Sequence, residues 1–311
     1  MSEVSEQSRR FNISGSLSVV AGEGGLTKIV IKASGASVGW TAKAEIYLNG
    51  ATVTRYEVDG KPVLFCSRTS KFEVGKAIRG GVPIIFPWFG PHPTDPKMPQ
   101  HGFVRAAEWK ILNTARSSSG VATVVLGFEA SEATRAIWPH DFALRYTVSL
   151  GRRLEMALEV TNRSNSEFRF DEALHTYLAV SDVRNIHITG LEQTEYADKV
   201  DGLARKRLDD APLRLTGETD RVFLNTGAVC RLHDPARSEI AVGKEGSLST
   251  VVWNPWDKAE NLVDLAGNQW PGMVCIETVN TMENSITLMA GASHTMKSTL
   301  HLSSRGYRRA Y

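Results

Sequence analysis

The stretch LRYTVSLGRRLEMALEV, residues 144–160, decides the fold class. Its apolar side chains fall at Leu144, Tyr146, Val148 and Leu150, and again at Leu154, Met156, Leu158 and Val160. That period of two matches the alternation of faces along a strand, not the 3.6-residue repeat of a helix. With Gly151 and Arg152 in the turn, the segment predicts a hairpin that buries one face. Outward from it, short strand-like runs recur on both sides: KIVIK, AEIYLNG, ATVTRYEV, PVLF and VATVVLGFE before it, and FRFDEALHTYL, IHITG, RVFLN, STVVWN, MVCIETV, SITLMA and MKSTLHL after it. Turn residues such as Asn49–Gly50 and Asp59–Gly60 separate them. More than a dozen such strands predict an all-β protein, a large antiparallel β-sandwich with few short helices. One helix of two turns is expected in SEATRAIW, capped by Ser131 and stopped by Pro139.

No linker or fixed-period repeat divides the chain of 311 residues, so residues 13–304 read as one sandwich domain. The polar residues 1–12 are expected to be a mobile lead-in, and residues 305–311 a basic solvated tail. Thirty-six basic residues against thirty-four acidic ones leave a net charge of +2 with no basic stripe, which argues against nucleic acid as a partner. No run approaches the roughly twenty apolar residues that span a bilayer, and the N-terminus lacks a signal-like apolar run, so a cytoplasmic protein with no membrane partner is expected. Cys66, Cys230 and Cys275 are far apart among apolar neighbours, the pattern of reduced buried thiols rather than disulfides or a metal knot. No exposed apolar helix or unprotected strand stands out, and a monomer is the expectation.

Residues 77–109 hold a second kind of information. Six of the twelve prolines lie between Pro83 and Pro99, interleaved with Ile84, Ile85, Phe86, Trp88 and Phe89. A core strand does not accept that many residues without an N–H, and a disordered linker does not carry those apolar side chains. The stretch therefore reads as a rigid packed loop presenting Arg79, Gln100, His101 and Arg105. Two arginines suit an anionic ligand gripped through planar forks, or else loop salt bridges. Gln100 and Asp220 suit sugar hydroxyls, and Trp253 in VVWNPW suits a pyranose face, although a turn, a cap or a loop anchor would use the same residues. In FRFDEALHTYL, parity sets Arg169, Asp171, Ala173, His175 and Tyr177 on one side and Phe168, Phe170, Glu172 and Leu174 on the other. In MVCIETVN it groups Met273, Cys275, Glu277 and Val279, so a carboxylate shares an apolar side and needs a partner. A hydrogen-bonded structural histidine and a tethered buried carboxylate fit these positions as well.

Taken in order, RGGVPIIFPWFG, QHGFVR, WPHDF, DEALHTYL, ETDRVF, VVWNPW with Asp264 after it, and MVCIETVN resemble the glucose-6-phosphate 1-epimerase branch of the aldose 1-epimerase superfamily, over roughly residues 44–302. The resemblance implies a galactose mutarotase-like sandwich and an isomerase acting on the anomers of a hexose 6-phosphate, with no cofactor and no metal. It implies His175 as general acid and Glu277 as general base, with Arg79, Gln100, Arg105 and Asp220 binding substrate and His101 and Trp253 beside them. A mutarotase of unphosphorylated aldoses and a non-catalytic sugar-phosphate binding protein are the rival readings. Comparing glucose 6-phosphate with glucose separates the first, and binding without rate enhancement would mark the second.

Overall fold

The computed structural model describes residues 3–35 and 39–303. The basic tail expected at residues 305–311 lies outside them. Phe142–Leu150 and Leu154–Asn162 form the expected hairpin, pairing from Leu150 against Leu154 to Phe142 against Asn162. Residues 151–153 make its turn, one residue longer than the sequence suggested. Its apolar face is wholly buried, with Tyr146, Val148, Leu150, Leu154, Leu158 and Val160 at 0% exposure.

This hairpin lies within an eight-stranded sheet ordered His187–Thr189, Cys230–His233, Ile240–Glu245, Ser293–Leu302, Leu154–Asn162, Phe142–Leu150, Ala122–Glu129 and Lys110–Arg116. A second sheet runs Ala204–Arg207, Glu195–Asp198, Thr219–Phe223, Ser249–Asn254, Met273–Asn280, Glu172–Leu174 and Ile84–Ile85, with Tyr177–Ala179 also paired to Met273–Asn280. A five-stranded meander, Leu17–Ala21 to Lys61–Pro62, and the pair Phe168–Phe170 with Ile286–Leu288 complete the strands. Every ladder between these strands is antiparallel among the described residues. The all-β antiparallel architecture is thus the one the alternation predicts.

The main core joins Leu158 and Tyr146 of the first sheet, Ile276, Val274 and Leu174 of the second, and Ile29, Ile46 and Val53 of the meander. Fully burying each such side chain is worth about 1.5–3 kcal/mol. The second sheet is covered on both faces, which is why all eight residues of Met273–Asn280 are buried. Val274 and Ile276 face the main core, while Met273 and Cys275 pack with Tyr177, and Val279 with Ile85 and Ala173, on the opposite face. That opposite face is roofed by the proline-rich stretch and carries the site.

Among the described residues there are two short α-helices, Glu3–Phe11 and Glu132–Ile137. Ser131 caps the second through a reciprocal pair: its Oγ accepts from Thr134 N, and its own N donates to Thr134 Oγ1. Residues 3–11, expected as a loose lead-in, form the first helix; its Phe11 is buried in the main core and Thr114 Oγ1 donates to the Phe11 carbonyl. No helix among the described residues is long and apolar enough to cross a membrane.

Candidate active site

Strand parity delivers the central groups. Met273–Asn280 projects Cys275, Glu277 and Val279 away from the main core, and the partner strands project Ala173 and Tyr177 the same way. His175 lies in the break between Glu172–Leu174 and Tyr177–Ala179, its backbone N donating to Pro83 O at 3.0 Å. FRFDEALHTYL, read from its sequence as one strand, is therefore three short ones. The breaks have a visible cause: the Asp171 carboxylate leaves the ladder to accept from Phe89 N and Ser285 Oγ, and the His175 and Thr176 backbone bonds diverge to Pro83 and Ile276.

His175 Nδ1 stands 3.5 Å from Glu277 Oε1, with side-chain exposures of 9% and 1%. That approach is longer than a made hydrogen bond. Neither His175 Nδ1 nor Glu277 Oε2 has a hydrogen-bond partner, although both are buried. Leaving such atoms unpaired is costly, and sugar hydroxyls are of the right kind to relieve it. Burial, followed by the neighbouring His101, Arg105 and Arg79, holds the His175 imidazole well below its ordinary pKa. Burial, followed by the charge of Asp220 and opposed by Lys199, pushes the Glu277 carboxyl well above its own. Each partner is driven toward its neutral form. The carboxylates that precede His175 in the chain are engaged elsewhere, Asp171 with Phe89 N and Ser285 Oγ, and Glu172 with His294 and Asn280.

Around this pair is a cavity of about 310 Å³, bounded by Arg79, Phe89, Gln100, His101, Arg105, His175, Lys199, Asp220, Trp253 and Glu277 among others. All eight residues singled out from the sequence line it. An open depression of about 420 Å³ near Val121, Arg152 and His301 is larger, yet it contains no buried acid–base pair. The smaller cavity is the site candidate because it combines polar convergence with perturbed groups.

Arg79 is placed by a backbone that only glycine permits. At Gly81, with φ +67°, a Cβ would lie 2.1 Å from the Val53 carbonyl oxygen. The Arg79 guanidinium donates from Nη1 to Tyr177 OH at 3.1 Å, and its Nε lies 3.0 Å from Asp264 Oδ2. The Nε contact is short but off the N–H direction, so it acts as an ion pair rather than a hydrogen bond. Arg105 donates from Nη2 to Gln100 O at 2.7 Å. Next to that carbonyl, Gly102 at φ +70° passes so close to Phe86 O that a Cβ would fall 1.8 Å from it. The crossing turns His101 toward His175, ring centroids 5.7 Å apart. His101 Nδ1 accepts from Gly90 N, and burial followed by Arg105, Lys199 and Arg79 pushes this imidazole down to about 2. His101 is therefore a neutral ring with its proton on Nε2. The His175 ring stacks on Tyr177 at 4.7 Å and meets Trp253 edge-on at 6.0 Å.

Three contributors escaped sequence reading. Lys199 Nζ is 2.8 Å from Asp220 Oδ2 and 5.4 Å from the Phe89 ring centroid; it opens a short 3-10 turn directly after the strand Glu195–Asp198 and carries no periodic signal. Tyr177 was seen as a strand residue and turns out to hold both His175 and Arg79. Cys275 was grouped with Glu277 by parity, but its approach to His175 is a contact between strands.

Set beside known proteins, residues 39–301 match the aldose 1-epimerase family profile. A candidate glucose-6-phosphate 1-epimerase of Cenchrus ciliaris is 34% identical over 278 residues, 86% of this chain and 82% of that one. One of Escherichia coli K12 is 34% identical over 261 residues, 82% and 86% of the two chains. The crystal structure of a candidate mutarotase from Salmonella typhimurium superposes with a TM-score of 0.85 at 30% identity, covering 95% of this chain and 96% of that one.

Proposed function

The chain belongs to the aldose 1-epimerase family, and from that premise we propose that it interconverts the α and β anomers of a hexose 6-phosphate, glucose 6-phosphate first among them. The observation that carries this reading is the buried imidazole–carboxyl pair opening on a cavity that also holds two arginines. Family membership makes the protein an isomerase; the phosphate and the residue roles are the proposal. The names of the plant and bacterial relatives lend support, since each specifies a 6-phosphorylated glucose.

Anomer exchange moves two protons. Glu277 takes one from the anomeric hydroxyl as His175 gives one to the ring oxygen; the C1–O5 bond breaks and C1=O1 forms. Rotation about C1–C2 and the reverse transfers close the other anomer, and the proton count of the pair is unchanged. Because carboxylic acid beside imidazole has the same net charge as carboxylate beside imidazolium, the single shared proton is enough to run the cycle. Arg79 and Arg105 disfavour the imidazolium in the free site. A phosphate dianion between them would cancel that field and draw the proton onto His175 as substrate arrives. Gln100, Asp220 and His101 then serve as hydroxyl partners and Trp253 as an apolar wall.

Anomer-exchange NMR on Glu277→Gln tests the roles. General acid–base assistance is worth about 10²–10⁴-fold, so the rate should fall by that factor while glucose 6-phosphate binding, followed by calorimetry, stays within about threefold. Turnover at the wild-type rate would remove Glu277 from the chemistry.

A further inference from the structure

We infer that the floor of this cavity is a binding site for a thiophilic divalent cation, zinc or cadmium, formed by Cys275, His175 and Glu277. Cys275 and Glu277 are two apart on Met273–Asn280, so their side chains leave the same face of one strand, and His175 faces them from the segment leading into the paired strand Tyr177–Ala179. One ligand atom from each, Sγ, a ring nitrogen and a carboxylate oxygen, lies within 4.8 Å of the others. Tetrahedral zinc with one sulfur, one nitrogen and one oxygen ligand needs edges of about 3.3–3.6 Å. The His175 to Glu277 approach of 3.5 Å already fits. The Cys275 sulfur, within 4.8 Å of both other atoms, is the ligand that must draw in to complete the set.

Two further observations point to a ligand here. His175 Nδ1 and Glu277 Oε2 are buried without hydrogen-bond partners, so the donor atoms are not consumed by the fold. Both residues also line the cavity, which gives an ion a route in and leaves its fourth position facing the space a sugar would use. A thiolate, an imidazole and one carboxylate select zinc or cadmium over magnesium or calcium, which prefer oxygen ligands alone. Binding as thiolate, neutral imidazole and carboxylate displaces the thiol proton and the proton that the His175–Glu277 pair holds, and both are released to solvent. An ion so held would occupy both groups assigned to proton transfer, so it is an inhibitor of the reaction and not part of it. The inhibition, though not the binding, rests on the function proposed above.

The test uses the whole chain, freed of metal. One equivalent of Cd²⁺ should produce an ultraviolet thiolate-to-metal charge-transfer band and proton release, both abolished in Cys275→Ser. Zn²⁺ should slow anomer exchange reversibly, with full recovery on adding EDTA. In the variant, zinc sensitivity measured against the variant's own metal-free rate should drop by more than about 10-fold, the effect of losing even an outer-shell partner. Cys275→Ala, which adds no polar atom to the core, is the companion should serine unfold the sheet. Absence of the cadmium band at one equivalent, or equal zinc sensitivity with and without the thiol, would overturn the site. Failure of metal-free wild type to exchange anomers would sink the proposed reaction alone, because the cadmium titration does not involve a sugar.

Discussion

Replacing Arg79 by alanine separates the charge-holding part of the site from its chemistry. In the free protein the guanidinium is committed to Tyr177 OH and to Asp264, whose side chain is 30% exposed. The variant therefore does two things to a phosphorylated substrate. It removes a charge-assisted hydrogen bond, worth about 1.5–3 kcal/mol. It also leaves Asp264 without its cation. A unit charge about 8 Å from another costs about 2 kcal/mol at an effective dielectric near 20, and partial exposure of Asp264 reduces that to about 1. Together these make about 2.5–4 kcal/mol, or a fall of about 10²–10³ in kcat/KM for glucose 6-phosphate. Glucose has no phosphate to lose, so its rate should fall less than about fivefold by the same reckoning. Adding Asp264→Asn to the variant should return about 1 kcal/mol, roughly fivefold, on the phosphorylated sugar only. Anomer-exchange NMR on both sugars reads all three quantities. Equal losses on glucose and glucose 6-phosphate would refute the phosphate role of Arg79, and an inert second substitution would refute the part assigned to Asp264.

Two further outcomes follow from the geometry. The pH profile of kcat/KM should be a bell, since the active pair holds one proton: the acid limb marks uptake of a second proton by His175, below the ordinary imidazole value of about 6.5, and the alkaline limb marks loss of the last from Glu277, well above the ordinary carboxyl value of about 4.3. The Asp220 charge helps raise Glu277, so Asp220→Asn should move the alkaline limb to lower pH; a limb that stays put would exclude that coupling. Gly102→Ala forces a Cβ to within 1.8 Å of Phe86 O at φ +70° and should cost more than about 3 kcal/mol in thermal unfolding, whereas Gly217→Ala, with nothing within 4 Å, should stay within about 0.5. Similar melting temperatures for the two would mean that the Phe86–Gly102 crossing is not a constraint.

What could be read from the sequence was what period two controls. Leu154 to Val160 gives its face away because a buried face leaves an apolar mark on every second residue, whereas Met273–Asn280, buried on both faces, shows no such alternation. Residues 77–109 betrayed themselves by proline, whose missing N–H excludes a central strand. The breaks at Asp171 and at His175–Thr176 could not be read, because they arise from partners 82 to 114 positions away for Asp171 and 92 away for His175, at Pro83. Nor does the sequence reveal burial of an ionisable group: Glu277 and His175 keep their ordinary pKa values until a roof covers them. Lys199 lies in the same class. Only the pairing of Glu195–Asp198 with Thr219–Phe223 brings it to Asp220.

That roof is also what makes the arginines matter to the chemistry. In water, cations near an imidazole would be screened within about 10 Å, and the substrate's phosphate would serve only as a handle. In the cavity the same cations add to burial, the larger cause, in lowering the proton affinity of His175. On the proposed function, the charge arriving with a phosphorylated sugar would alter the acid as well as hold the ring. Remote binding energy then appears partly in kcat, not only in KM, which is the behaviour expected when an interaction is stronger at the transition state than in the free site. A neutral aldose would leave the shared proton on Glu277, so discrimination against it arises at the proton-transfer step as well as in the grip.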